Sequence, residues 1–320
     1  MQGQQPGYDG WNLDYPPINV AVHPKQEFPP PDFDSCQTCN TAIFDRDGTE
    51  FPPPGNNVVP FPIIVPIVGE WCEEFSSDSE SDYEYEDLQQ PADYAYLLQR
   101  DLKQAIYGKV WQAEILDRIP TSDGSVKWKK TSELVAIKIM DIHKIMELDG
   151  ICLERPLQEV GAMQHLQRFI AQGYGVEYIE AAKNMSSKER RERSIQEMME
   201  HRVMTAFDVL SDDENIYIVM PFCGKGELFD TLQRRTKFPE EEARCWFKQL
   251  LRGVETLQRA GICHRDLSLE NTITTVDNVG LIIDYGMSFK IPYVVDADGR
   301  RQRCLVNPDR RCGKVRFFLR

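Results

Sequence analysis

Three polar side chains stand close together late in the chain. Asp266 and Asn271 lie within His264-Arg265-Asp266-Leu267-Ser268-Leu269-Glu270-Asn271, and Asp284-Tyr285-Gly286 follows thirteen residues after Asn271. An acid and an amide five residues apart on one loop can divide two tasks. Asp266 can orient a hydroxyl and accept its proton, while Asn271 holds a cation from one side. Asp284, beside a glycine that lets the chain turn, can hold the cation from the other side. Phosphoryl transfer asks for these parts, because it depends on positioning and charge stabilisation more than on covalent chemistry.

Such a loop needs a frame. Short apolar, β-branched runs at 96–98, 108–113, 134–140, 203–210 and 216–220 predict five strands. Residues 155–169 predict a helix with Leu157, Val160, Met163 and Leu166 on its apolar face, and 186–200 predict a second, charged helix. Beyond Gly226 the pattern turns helical, with a short piece at 227–235 and a long one at 239–260. The long one starts at Pro239 before three glutamates and stops at Gly261. Its apolar residues, Trp246, Phe247, Leu250, Leu251, Val254 and Leu257 among them, make a broad face.

The order of these parts resembles the eukaryotic protein kinases, with His264-Arg265-Asp266 to Asn271 as the catalytic loop and Asp284-Tyr285-Gly286 as the metal-binding triplet. Val135-Ala136-Ile137-Lys138 is similar to the third-strand motif whose lysine holds the α- and β-phosphates, and Glu159 to the helix-C glutamate that pairs with it. The resemblance spans about 96–316. It implies an α+β, two-lobed kinase fold with a five-stranded sheet and C-helix, a hinge at 221–224 and an incomplete helical lobe. The implied activity is ATP- and Mg2+-dependent transfer of the γ-phosphoryl group to Ser or Thr hydroxyls of protein substrates. It gives Asp266, Lys138, Glu159 and Asn271 catalytic roles and gives the metal to Asn271 and Asp284. Nucleotide contacts fall to Gly108, Val110, Ala136, Lys138, Met220, Phe222, Cys223, Glu227 and Ile273, with Met220 as gatekeeper and Glu227 as the ribose-binding acid.

The departures are specific. Lys103 and Ala105 stand where the family's phosphate loop has its first two glycines, leaving Gly108 as the third. Ser268 stands where Ser/Thr kinases usually have a lysine, and the stretch 172–200 is inserted with a charged run at 188–193. The insertion reads either as a solvated helix or as a docking site for a regulatory partner. The resemblance breaks off before the family's Y-x-A-P-E motif, so a poorly soluble, inactive fragment and a pseudokinase-like ATP-binding or scaffolding module stand as alternatives to an enzyme.

Composition bounds the rest. A formal charge of -14 and a pI near 4.9 argue against nucleic-acid binding by the chain as a whole. Residues 1–90 combine Pro-rich runs with an acidic serine cluster at 73–87 and read as a disordered extension, followed by an N-lobe at 91–225 and a partial C-lobe at 226–320. Ser76, Ser77, Ser79 and Ser81 sit among acids, as substrates of an acid-directed kinase or as a solvated tail. The apolar stretch 58–68 is broken by Pro60, Pro62 and Pro66 and cannot span a bilayer as a helix. Without a signal-like leader, and with nine scattered cysteines, the expectation is a cytoplasmic or nuclear protein. Cys36 and Cys39 lack a second ligand pair for zinc.

Overall fold

The computed structural model describes residues 42–44, 63–68, 90–119, 127–149, 151–212, 214–295 and 301–303. Three short strands come first, β1 (Ala42–Phe44), β2 (Ile63–Val68) and β3 (Gln90–Pro91). Three long ones follow, β4 (Tyr94–Gln104), β5 (Gly108–Ile119) and β6 (Lys127–Asp141), rich in the β-branched and aromatic residues that suit a pleated, half-buried surface. After the helices α1 (Ile142–Leu148), α2 (Pro156–Tyr174), α3 (Val176–Lys183) and α4 (Ser187–His201), the strands β7 (Asp208–Ser211) and β8 (Asn215–Pro221) complete one sheet of order β1-β2-β4-β5-β6-β8-β7, with β3 paired to β2.

Two findings here correct the sequence reading. Strands occur within the 1–90 extension expected to be disordered: Ile63 lies opposite Leu97 and Ile64 opposite Tyr96. The reason is the edge of β4, whose unpaired N–H and C=O groups accept another strand. Ile64 becomes fully buried among Tyr96, Ile115 and Tyr217, which is worth roughly 1.5–3 kcal/mol. The acidic serine cluster and the Cys36–Cys39 pair lie outside the described residues. The strand expected at 203–210 is also shorter, beginning only at Asp208. Val203 and Met204 are buried instead against Ile282, with the Met204 N–H donating to the Ile282 carbonyl at 2.9 Å.

The sheet separates two apolar clusters by strand alternation. Ile216 and Ile218 of β8 face α2, together with Met140, Val160, Met163 and Leu166. Tyr217 and Val219 point the other way, to Ala113, Ile115, Val135 and Ile137. Pro156 occupies the first turn of α2, which runs past the expected 169 to Tyr174 and stops at Gly175, where φ is 97°. Leu157 does not join the buried face and is 42% exposed.

The insertion folds as a hairpin of α3 and α4. Ser186 and Glu189 form a capping box at the start of α4. Tyr178 donates to Glu197 at 2.5 Å, Tyr174 donates to Glu200 at 2.8 Å, and Arg193 donates to the Tyr178 carbonyl at 2.7 Å. The charged run is therefore only partly solvated. Arg191 is buried, reaches Glu133 at 3.3 Å and covers the Tyr94 ring.

Beyond the hinge the chain forms β9 (Gly226–Glu227), α5 (Leu228–Arg235), α6 (Glu240–Arg259), β10 (Ile262–Cys263), β11 (Thr272–Thr274), β12 (Gly280–Ile282), β13 (Phe289–Lys290), β14 (Tyr293–Val295) and β15 (Arg301–Arg303). The broad apolar face of α6 divides. Trp246 and Leu257 are buried, while Phe247 is 62% and Leu251 51% exposed. Among the described residues no helix is long and apolar enough to cross a membrane.

Candidate active site

The register of one small sheet assembles the catalytic loop. β9, β11 and β12 pair antiparallel, with Thr272 opposite Ile282 and Ile273 opposite Glu227. Beyond that pairing the Ile283 N–H donates to the Asn271 carbonyl at 3.0 Å, so Asn271 and Asp284 emerge side by side at the same end. Asn271 donates its side-chain amide to both the carbonyl and a carboxylate oxygen of Asp266, each at 2.8 Å. Carboxylate and amide are thus locked to each other. With both amide protons engaged toward Asp266, the Asn271 amide oxygen is the group left for a cation. Ser268, found where a lysine was expected, caps the turn by accepting from the Asn271 N–H at 3.2 Å. Asp284 sits at φ 67° and Arg265 at φ 70°, left-handed conformations that cost non-glycine residues energy and that cluster at functional sites.

His264 supports the loop from beneath. One ring nitrogen meets the Ile283 carbonyl at 3.0 Å, and the other accepts the Asp266 N–H at 3.3 Å. A carbonyl can only accept, so the proton resides on Nε2 and the ring is neutral. Burial lowers its pKa below the ordinary 6.5. As pH falls through that value the unfolded chain takes up a proton that the folded loop refuses, so this contribution to stability fades toward acid. Between pH 7 and pH 5.5 the melting temperature of the native chain should therefore fall more steeply than that of His264→Phe. Parallel slopes would contradict this role.

Tyr285 fills the position after Asp284 and is fully buried, donating to the Ile282 carbonyl at 2.8 Å and the Met204 carbonyl at 3.1 Å. A tyrosine is accommodated there because its hydroxyl finds acceptors.

The Lys138 side of the site is built by β6 and α2. Lys138 and Glu159 are buried and meet at 2.5 Å. Burial alone would lower the Lys138 pKa, but Glu159, Asp284 and Glu154 outweigh it and hold the ammonium above its ordinary value. Glu154 was not anticipated from the sequence. Its carboxylate lies 3.8 Å from Lys138, and burial, opposed by Lys138 and reinforced by Asp284, Glu159 and Asp266, pushes its pKa up to about 7. Oxygens of Glu154, Glu159 and Asp284 lie within 4.8 Å of one another. Glu159 and Glu154 of this group both face the Lys138 ammonium, which leaves Asp284, with the Asn271 amide oxygen, as the oxygen donors of the kind that suits a hard cation such as Mg2+.

Four of the expected nucleotide contacts share one face of the large sheet. Val110 lies opposite Lys138, and Ala136 opposite Met220, so these four share a side. Phe222 and the buried Cys223 follow at the end of β8, and Ile273 pairs across to Glu227. Gly108 has a packing reason to be glycine: a Cβ there would lie 2.0 Å from the Ile139 carbonyl oxygen. The β4–β5 turn is tight, with the Ala105 N–H donating to the Gly108 carbonyl at 2.9 Å. Tyr107 tucks beneath it and donates to the Glu154 carbonyl at 2.6 Å. Lys103 forms an ion pair with Glu227, so the acid expected to bind ribose already has a cation.

Two lobes joined by a hinge, a lysine–glutamate pair in the upper one and an Asp–Asn–Asp constellation in the lower one define the class of the fold. Residues 172–302 match the family described as the protein kinase domain, and the α+β arrangement of sheet and helices is consistent with that family's two-lobed fold. Similar proteins include the human hormonally up-regulated neu tumor-associated kinase, 40% identical over 100 residues, which is 31% of this chain and 14% of that protein. Another is the serine/threonine-protein kinase HAL4/SAT4 of Saccharomyces cerevisiae, 38% identical over 111 residues, or 34% of this chain and 18% of the relative. A third is the serine/threonine-protein kinase kin-29 of Caenorhabditis briggsae, 36% identical over 107 residues, 33% of this chain and 13% of the relative.

Proposed function

We propose that this chain transfers the γ-phosphoryl group of ATP to Ser or Thr hydroxyls of protein substrates. The observation that carries the reading is the lock between Asn271 and Asp266 at 2.8 Å beside Asp284, together with the 2.5 Å Lys138–Glu159 pair. Asp266 orients the substrate hydroxyl and accepts its proton. Lys138, held by Glu159, positions the α- and β-phosphates. Asn271 and Asp284 would hold Mg2+, which when bound neutralises charge on the phosphate oxygens. Val110, Ala136 and Ile273 enclose the adenine, with the backbone from Met220 to Cys223 at its edge and Met220 closing the back of the pocket. Gly108 closes the phosphate loop. Glu227 meets the ribose once Lys103 releases it.

One observation favours a second reading, that of a nucleotide-binding module without turnover. Lys103 occupies the place of a phosphate-loop glycine and holds Glu227. The docking of a regulatory partner on the α3–α4 hairpin belongs to either reading.

The test is phosphate incorporation from labelled ATP into a serine- and threonine-containing protein mixture. Incorporation is expected with Mg2+ and should disappear when the ion is chelated. Incorporation unaffected by chelation would contradict the metal assignment, and ATP binding without incorporation would favour the second reading.

A further inference from the structure

Glu154 lies inside the phosphate cleft, and the fold takes trouble to keep it there. Its carbonyl accepts from Tyr107 in the β4–β5 turn at 2.6 Å, and the next N–H, that of Arg155, donates to the Gly286 carbonyl at 2.8 Å. Gly286 is what leaves it room: a Cβ at 286 would lie 2.4 Å from the Glu154 Cγ. The side chain is 15% exposed, and its carboxylate stands 3.8 Å from Lys138, the same ammonium that Glu159 holds at 2.5 Å. One cation is therefore shared by Glu159 and Glu154, with Asp284 close by.

One acid suffices to hold the lysine, so Glu154 has a different effect. We propose that Glu154 is an affinity-setting residue of the nucleotide site: it competes with incoming phosphates for Lys138 and repels them directly, so that it weakens ATP binding. The inference rests on the phosphotransfer reading above. Tyr107 and Gly286 link this competitor to the phosphate loop and to the metal triplet, so that displacement of Glu154 by a nucleotide would be felt at both.

The experiment is a calorimetric titration of the full chain with ATP in the presence of Mg2+, and separately with adenosine, which lacks phosphates. Glu154→Gln keeps the shape and removes the charge, whereas Glu154→Asp keeps the charge. The Gln variant should bind ATP about tenfold more tightly while its adenosine affinity stays unchanged, and the Asp variant should retain the weaker ATP binding of the native chain. Melting curves of all three confirm equal folding. ATP affinity unchanged or weakened in Glu154→Gln overturns the proposal, as does an equal gain for adenosine, which would make Glu154 a determinant of cleft shape. If neither the native chain nor Glu154→Gln binds ATP, the phosphotransfer reading falls along with it. Binding by the native chain without a gain in the variant sinks this inference alone.

Discussion

Asp266→Asn is expected to lower phosphate transfer by about 10²–10⁴-fold while moving ATP affinity by less than about threefold. Asp266 accepts from the Asn271 amide at 2.8 Å and is tied through its N–H to His264 at 3.3 Å, so an isosteric amide should sit in the same place. What it cannot do is accept a proton from a hydroxyl. Because proton acceptance matters only in the transition state, the loss should appear in kcat. A parallel loss of ATP affinity would mean that the substitution disturbs Asn271 and the cation it would hold, and that Asp266 is structural.

Lys138→Met should produce the largest combined effect on stability and function. Removing the ammonium leaves Glu159, 4% exposed, without its cation, and breaking a buried pair from one side typically costs about 3–5 kcal/mol. Melting should fall accordingly, and ATP binding should be lost. The double variant Lys138→Met with Glu159→Leu removes the stranded charge and should recover most of the melting temperature without recovering ATP binding. If the double variant regains both, Lys138 does not touch the phosphates. If the single variant melts like the native chain, the pair is not ionised in the way its 2.5 Å contact implies.

The lower half of the site was legible in the sequence because its parts are close along the chain. Asp266, Asn271 and Asp284 span few residues, and a short sheet with one register is enough to bring them together. Lys138 and Glu159 were legible for a similar reason, lying on a strand and the helix that soon follows it. The α4 helix announced itself through its charged residues at 186–200, and the structure adds the Ser186 cap at its start.

What escaped the sequence reading depends on distance or on neighbours. Lys103 and Glu227 are 124 residues apart, and neither residue alone signals an ion pair across the cleft. Glu154 precedes α2 with no periodicity to assign it a face, and only the space left by Gly286 shows where it goes. Ile63–Val68 reads as a Pro-broken apolar run, yet a free sheet edge supplies the pairing that local propensity does not. Val203 and Met204 reverse that error, since residues with the composition of a strand are buried without joining the sheet.

This cleft is proposed to move a phosphoryl group with Asp266 as its base. The most direct measurement is mass-spectrometric mapping of phosphate on a protein substrate mixture after incubation with Mg2+ and ATP, comparing the native chain with Asp266→Asn at equal concentration. Phosphoserine and phosphothreonine are expected with the native chain and a loss of about 10²-fold or more in the variant, with equal ATP binding by both. Equal phosphorylation by the two proteins, or none by either although both bind ATP, would contradict it.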